Sequence, residues 1–190
     1  MQVLKKSVRE AIIESAITEF FEKNYQNANM RDIAANANIT VGNIYRYYKN
    51  KKELFNAILQ PAERAIDKLA EVDTDNTNLS VDTKSDLDYL INFVMETISP
   101  YTKEIFIMIF NSYGTHHEKI KNRLEELIVL KVSKYYPGKF TRSFLEVISR
   151  SFVEAIFIIF KNNIDNQYKI KVMLSELVVF FFRNLEDRML

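Results

Sequence analysis

The chain has 190 residues, a formal net charge of +1, 47 % hydrophobic residues and 13 % aromatic residues. Three Gly and three Pro are too few for the turns of a β-sandwich or barrel, the lack of Cys excludes a disulfide framework or thiolate metal site, and the near-neutral charge excludes a uniformly basic coat. An all-α chain of one or two domains, long enough to bury a core, is the remaining class. The N-terminal MQVLKKSVREAII is charged and amphipathic rather than a signal peptide, and no uncharged apolar run approaches the roughly eighteen residues of a membrane span. The expectation is a cytoplasmic protein with no membrane partner. Residues 1–60 carry nine Lys/Arg against six Asp/Glu, a balance of +3, and the remainder carries −2. A basic head on a slightly acidic body fits a localised nucleic-acid footprint.

In chain order, Val8, Ile12, Ile13, Ala16, Ile17, Phe20 and Phe21 form a wide apolar stripe that predicts a helix from Lys5 to Lys23. Asn29 is a good N-cap for a second helix, with Asp32 placed to reach back to its free N–H groups, and Ile33, Ala34 and Ala37 on one face. Asn38 tolerates the left-handed conformation and can close that helix. Thr40 caps a third helix, Val41 to about Tyr48, with Ile39, Ile44 and Tyr48 inward. Asn50 caps a fourth, with Glu53 at the capping-box position. Two helices around a turn of three or four residues form a helix-turn-helix. Its outward residues Val41, Gly42, Asn43 and Arg46, ringed by Tyr45, Tyr47, Lys49, Lys51 and Lys52, suit base edges and phosphates. The same surface also reads as an ordinary solvated face.

These residues resemble the DNA-binding head of the tetracycline-repressor (TetR) family of bacterial regulators. The resemblance covers about the first sixty residues and rests on M-R-D-I-A, the turn, T-V-G-N-I-Y-R-Y-Y and K-N-K-K-E-L. It implies that Arg31, Val41, Gly42 and Asn43 lie toward the major groove and that Asn29, Tyr45, Tyr47 and Lys51 hold phosphates, with Thr40 and Arg46 in the same footprint. Two departures stand out. Asn24 and Asn38 occupy positions where the family usually has Gly, and Tyr48 replaces Phe, so its hydroxyl needs a partner.

Beyond Leu54, helical spacing continues across Pro61 to Leu69, predicting a bent linking helix from Lys51 to Val72, or two helices broken at Gln60. Residues 73–86 read as a polar loop. Helices are expected around Leu87–Ile98, after a Ser99 cap through the apolar Phe106–Phe110 segment, from about His116 to Tyr136, over Thr141–Lys161 and over Asn166–Met189. Phe106–Phe110 should lie buried in the body. The last two helices are apolar on more than one face, and such excess marks an interaction surface. The resemblance implies that they pair with their copies as a homodimer.

No catalytic constellation and no cofactor motif is visible, so neither an enzyme nor a cofactor is expected. His116 and His117 are adjacent; on a helix their side chains point about 100° apart, so no shared metal is expected. The middle helices are rich in Phe, Met and Tyr, and spacing does not separate core from ligand cavity. The resemblance favours a cavity for a small apolar or amphipathic effector, with Phe106, Phe110, Tyr113, Phe152 and Phe157 as walls and Tyr89, Asn111 and His117 as polar anchors. The resulting expectation is an all-α regulator with a three-helix DNA-binding head, residues 1–50, and a larger helical ligand-binding and dimerisation domain, residues 51–190. It would repress from a palindromic double-stranded operator. The rival is a helical carrier or scaffold for apolar molecules that does not bind DNA.

Overall fold

A computed structural model describes residues 5–71 and 83–184. Among these residues there are helices and 3-10 turns and no β-strand. The helices are α1 (Lys6–Asn27), α2 (Met30–Asn36), α3 (Val41–Ile44), α4 (Lys51–Glu71), α5 (Lys84–Ile98), α6 (Thr102–Phe110), α7 (Ile120–Tyr135), α8 (Arg142–Asn163) and α9 (Gln167–Phe182). Two compact units are formed, one from residues 1–64 and 101–118, the other from 65–100 and 119–190. α4 runs unbroken through Pro61 and contributes turns to both units.

The first unit is built on α1. Ile12, Ala16 and Phe20 are fully buried, and Phe20 meets Phe55 of α4 edge-on with ring centroids 4.8 Å apart. Ile33, Ile44, Leu54, Phe55 and Leu59 complete a core with no exposed surface. The α1 backbone breaks at Asn24, where φ is 63° and ψ is 173°. Asn at that position takes the conformation a glycine would otherwise supply, and its Oδ1 accepts from the Gln26 and Asn27 N–H groups. The break turns the Tyr25 N–H away from its regular helical acceptor, the Phe21 carbonyl. Asn111, just past α6, binds this end of the helix: its Nδ2 donates to Phe20 O at 3.0 Å and Phe21 O at 2.7 Å, and its own carbonyl accepts from Tyr25 N–H at 2.8 Å.

The expected body position of the Phe106–Phe110 helix is therefore revised. α6 packs on α1 within the first unit, with Phe106 against Phe21 at 4.8 Å. Ser99 opens a 3-10 turn, Ser99–Tyr101, rather than capping α6 directly.

The second unit packs α7 on α8 and α9 on both α8 and α5. Side-chain caps start these helices: Thr83 accepts from Asp86 N–H, Thr141 from Phe144 N–H, and Asn166 from Lys169 N–H. Thr83 sets α5 at Lys84, so the predicted loop ends three residues early; residues 73–82 of it lie outside the described residues, as does the predicted end of α9 beyond residue 184. The core includes Ile91, Val129, Val153, Phe160, Ile170 and Leu174.

Candidate nucleic-acid interface

The helix-turn-helix is fixed by short-range hydrogen bonds. Asn29 caps α2, its Oδ1 accepting from Arg31 N–H at 2.9 Å. Asp32 does not complete the cap; it pairs with Lys23 at 2.9 Å, and the Asn29 N–H donates instead to Glu19 Oε1 at 3.1 Å. Glu19 is buried within α1 and is also paired with Lys23. Sequence reasoning missed it. The usable signal was its place in the apolar stripe, three residues after Ala16 and one before Phe20, where a carboxylate needs a partner.

Asn38 turns the chain at φ 54°, and the Ile39 N–H donates back to Ala34 O. Thr40 Oγ1 accepts from Asn43 N–H at 3.3 Å and starts α3. α3 is shorter than expected, because the chain continues from Tyr45 to Tyr47 as turns. Ile44 and Tyr48 anchor this segment in the core, while Gly42, Tyr45 and Arg46 are exposed. A Cβ at Gly42 would meet no atom within 4 Å, so this point of the surface is open. The Tyr48 hydroxyl has a partner in the Arg9 guanidinium, 3.3 Å away, and that bond raises the Arg9 pKa.

Residues proposed to flank the reader are already engaged. The Tyr47 hydroxyl accepts from the Lys5 N–H at 3.1 Å. Lys51 donates to the carbonyls of Gln26 and Ala28, both at 3.1 Å, and its ammonium sits 4.9 Å from the centre of the Tyr25 ring. Asn50 caps α4 through Glu53 N–H at 2.8 Å, and Glu53 reaches back to Lys49 N–H.

The residues expected to line an effector cavity are divided between the two units. Phe106, Phe110, Asn111, Tyr113 and His117 belong to the first unit, whereas Tyr89, Phe152 and Phe157 belong to the second. Tyr89 and Tyr113 are more than half exposed. Asn111 is bound to the α1 carbonyls, and Phe152 packs on Phe181 and Phe182. His117 is buried against the Phe55 ring, and burial together with the neighbouring His116 lowers its pKa to about 4. The two histidines also depart from expectation. They occupy a 3-10 turn rather than an α-helix, and their rings lie 3.8 Å apart, both within reach of Glu63.

The second unit instead holds two apolar concavities. One, of about 350 Å³, lies between the last turns of α4 and α7, lined by Ile66, Ala70, Leu124, Leu127 and Leu130 with Arg123 and Glu126. The other, of about 210 Å³, is walled by α7, α8 and the Phe180–Phe182 run. Nearby, α8 exposes Phe144, Val147 and Ile158, and α9 exposes Tyr168, Val172 and Phe180, spaced by four and then eight residues.

Helices alone among the described residues, with a capped helix-turn-helix near the start, are an architecture that DNA-binding transcriptional regulators use. Residues 12–58 match the family of bacterial regulatory proteins, tetR family. The chain is similar to the biofilm operon icaADBC HTH-type negative transcriptional regulator IcaR of Staphylococcus epidermidis, with 27 % identity over 133 residues, 68 % of this chain and 69 % of that protein. Its fold is similar to that of a TetR-like transcriptional regulator from Rhodococcus sp. RHA1 (TM-score 0.63, 19 % identity, 93 % of this chain and 96 % of that one). It is also similar to MexZ of Pseudomonas aeruginosa, a repressor responsible for antibiotic resistance (TM-score 0.62, 16 % identity, 98 % and 100 % covered). Together these matches support a TetR-family regulator, with the tetR-family head at residues 12–58. Among the described residues no helix is long and apolar enough to cross a membrane.

Proposed function

We propose that the protein is a ligand-responsive repressor that binds a palindromic operator as a homodimer. The observation that carries the DNA-binding part is the exposed surface of Gly42, Tyr45 and Arg46, held outward by the Thr40 cap and by the buried Ile44 and Tyr48. Asn43 and Arg46 have the donors to read bases, and Val41 offers an apolar contact to a thymine methyl. Asn29, Arg31, Thr40 and Tyr45 lie in the same footprint and can position the backbone of the duplex. Tyr47 and Lys51 join them by sharing or exchanging the hydrogen bonds they make within the protein. In functional terms the reader is residues 1–50 and the responsive part 51–190.

The exposed apolar stripes of α8 and α9 support the homodimer. Water-facing Phe144, Val147, Ile158, Val172 and Phe180 are a cost that pairing with a second copy removes. The 350 Å³ concavity beside α7 supports effector binding, since its size falls within the roughly 300–1,000 Å³ of small-molecule sites and its walls are apolar. An effector acts only if it binds the two operator-affinity states unequally.

The test is fluorescence anisotropy of a duplex from the chain's own promoter region across a salt series. Steeply salt-dependent binding, at one dimer per site and with preference over a scrambled duplex, is the expected result. Equal affinity for the scrambled duplex would overturn the operator reading, and no binding to either duplex would favour the carrier reading.

A further inference from the structure

We propose that Glu63, His116 and His117 form a binding site for one divalent transition-metal ion of the zinc class. The chain contains two histidines and no cysteine, and both imidazoles meet at one carboxylate. Glu63 comes from α4, and the histidines from the 3-10 turn after α6, all within the first unit. Glu63 Oε1 lies 2.9 Å from His117 Nδ1 and 3.8 Å from His116 Nε2, and the three donor atoms all lie within 4.8 Å of one another. Two ligands of a tetrahedral zinc ion, each about 2.0–2.1 Å from the metal, are about 3.3 Å apart, and the two observed separations bracket that value.

The second observation is the state of His117. Its Nε2 is 3.3 Å from Asn56 Oδ1, which accepts only if Nε2 carries the proton. Nδ1 is then a bare lone pair. It is buried, it has no hydrogen-bond partner, and it faces the Glu63 oxygen. Two acceptors at 2.9 Å repel, and a buried atom of this kind costs free energy when nothing answers it. The other neutral tautomer, with its proton on Nδ1, relieves the contact by donating to Glu63 but turns the Nε2 lone pair on Asn56 Oδ1. A metal ion relieves the contact by bonding to both atoms. Metal-bound histidines characteristically donate their other N–H to a carbonyl or carboxylate oxygen, the role Asn56 fills here. His116 and Glu63 keep partial access to solvent, which gives the ion a way in and leaves a fourth position for water.

The experiment uses the untagged full-length chain, freed of metal and titrated with ZnCl₂ by calorimetry, with Co²⁺ visible absorption as a report of ligand geometry. One equivalent per chain is expected, with a rise in melting temperature on saturation. His117→Ala removes a buried ring and can fail by misfolding, so Glu63→Gln and His116→Ala carry the test. Each should keep the metal-free melting temperature within a few degrees, yet weaken zinc binding about ten-fold or more. Absence of stoichiometric zinc binding overturns the proposal, as does a double variant that binds zinc as the parent does. Metal binding is read without DNA, so its failure is separate from failure of the operator reading.

Discussion

Asn111 is where an effector anchor was expected and where a structural clamp was found. Its side chain supplies two N–H donors to the Phe20 and Phe21 carbonyls beside the break at Asn24. Asn111→Ala removes both bonds and leaves both acceptors in a partly buried position. At about 1 kcal/mol net per neutral bond, plus part of the cost of unmet acceptors, the loss should be about 2–3 kcal/mol. For a chain of this size each kcal/mol is about 2–4 °C in melting temperature, so a fall of roughly 5–10 °C is expected. Asn111→Asp sharpens the test: it keeps the shape, removes the donors and sets a carboxylate against two carbonyl oxygens. It should melt below the Ala variant at neutral pH and recover on acidification, when the protonated acid regains one donor. Differential scanning calorimetry on the three proteins decides. An Ala variant that melts within about 1 °C of the parent, or an Asp variant that outlasts it, would falsify the clamp.

Other substitutions separate folding from recognition. Lys51→Ala should lower the melting temperature through loss of its two carbonyl bonds, and should flatten the salt slope of operator binding by about one unit per half-site if the ammonium also meets a phosphate. Asn43→Ala should cost about 1–3 kcal/mol at a single base position, measured by binding to a set of single-base operator variants. Glu19→Gln should destabilise the chain by about 1–3 kcal/mol in urea unfolding, because a buried acceptor for Asn29 N–H and Lys23 is weakened. Phe180→Asp and Ile158→Asp should yield monomers by sedimentation with unchanged helical circular dichroism, since both side chains are exposed in the single chain. A parent protein already monomeric at micromolar concentration would remove the basis of that prediction. Phe152 is unsuitable for it, being buried on Phe181 and Phe182.

Much of the head was legible because its determinants are local. A cap is read from one residue and the N–H two or three positions on, so Asn29, Thr40 and Asn50 were placed correctly. Left-handed turns at Asn24 and Asn38 followed from the tolerance of Asn for positive φ. What the sequence hid depends on partners far along the chain. Asp32 looked like a capping-box residue, yet Lys23 claims it and Glu19 takes the N–H it would have served. The apolar character of α6 gave burial but not the surface that buries it. The histidine pair does not take the 100° α-helical step that was assumed. In the 3-10 turn one ring offers Nε2 and the other Nδ1, so adjacent residues approach the same oxygen.

The line that divides function and the line that divides folding need not coincide. Residues 1–50 hold every proposed base contact, but their core is closed from outside that span. Phe20 and Tyr25 pack on Phe55, at 4.8 and 4.7 Å, and Leu54, Ile58 and Leu59 fill the same interior. The carbonyl ends of α1 are satisfied by Asn111, and the far side of Phe55 is covered by His117. A fragment ending at residue 50 would expose Phe20 and leave the α1 carbonyls unmet, so it should not fold by itself. The segment 101–118 is thus part of the scaffold that orients α1, and through α1 the buried Glu19 that holds the start of α2. A perturbation of that segment, whether by substitution at Asn111 or by an ion at Glu63, His116 and His117, acts on packed neighbours of the reader inside one compact unit.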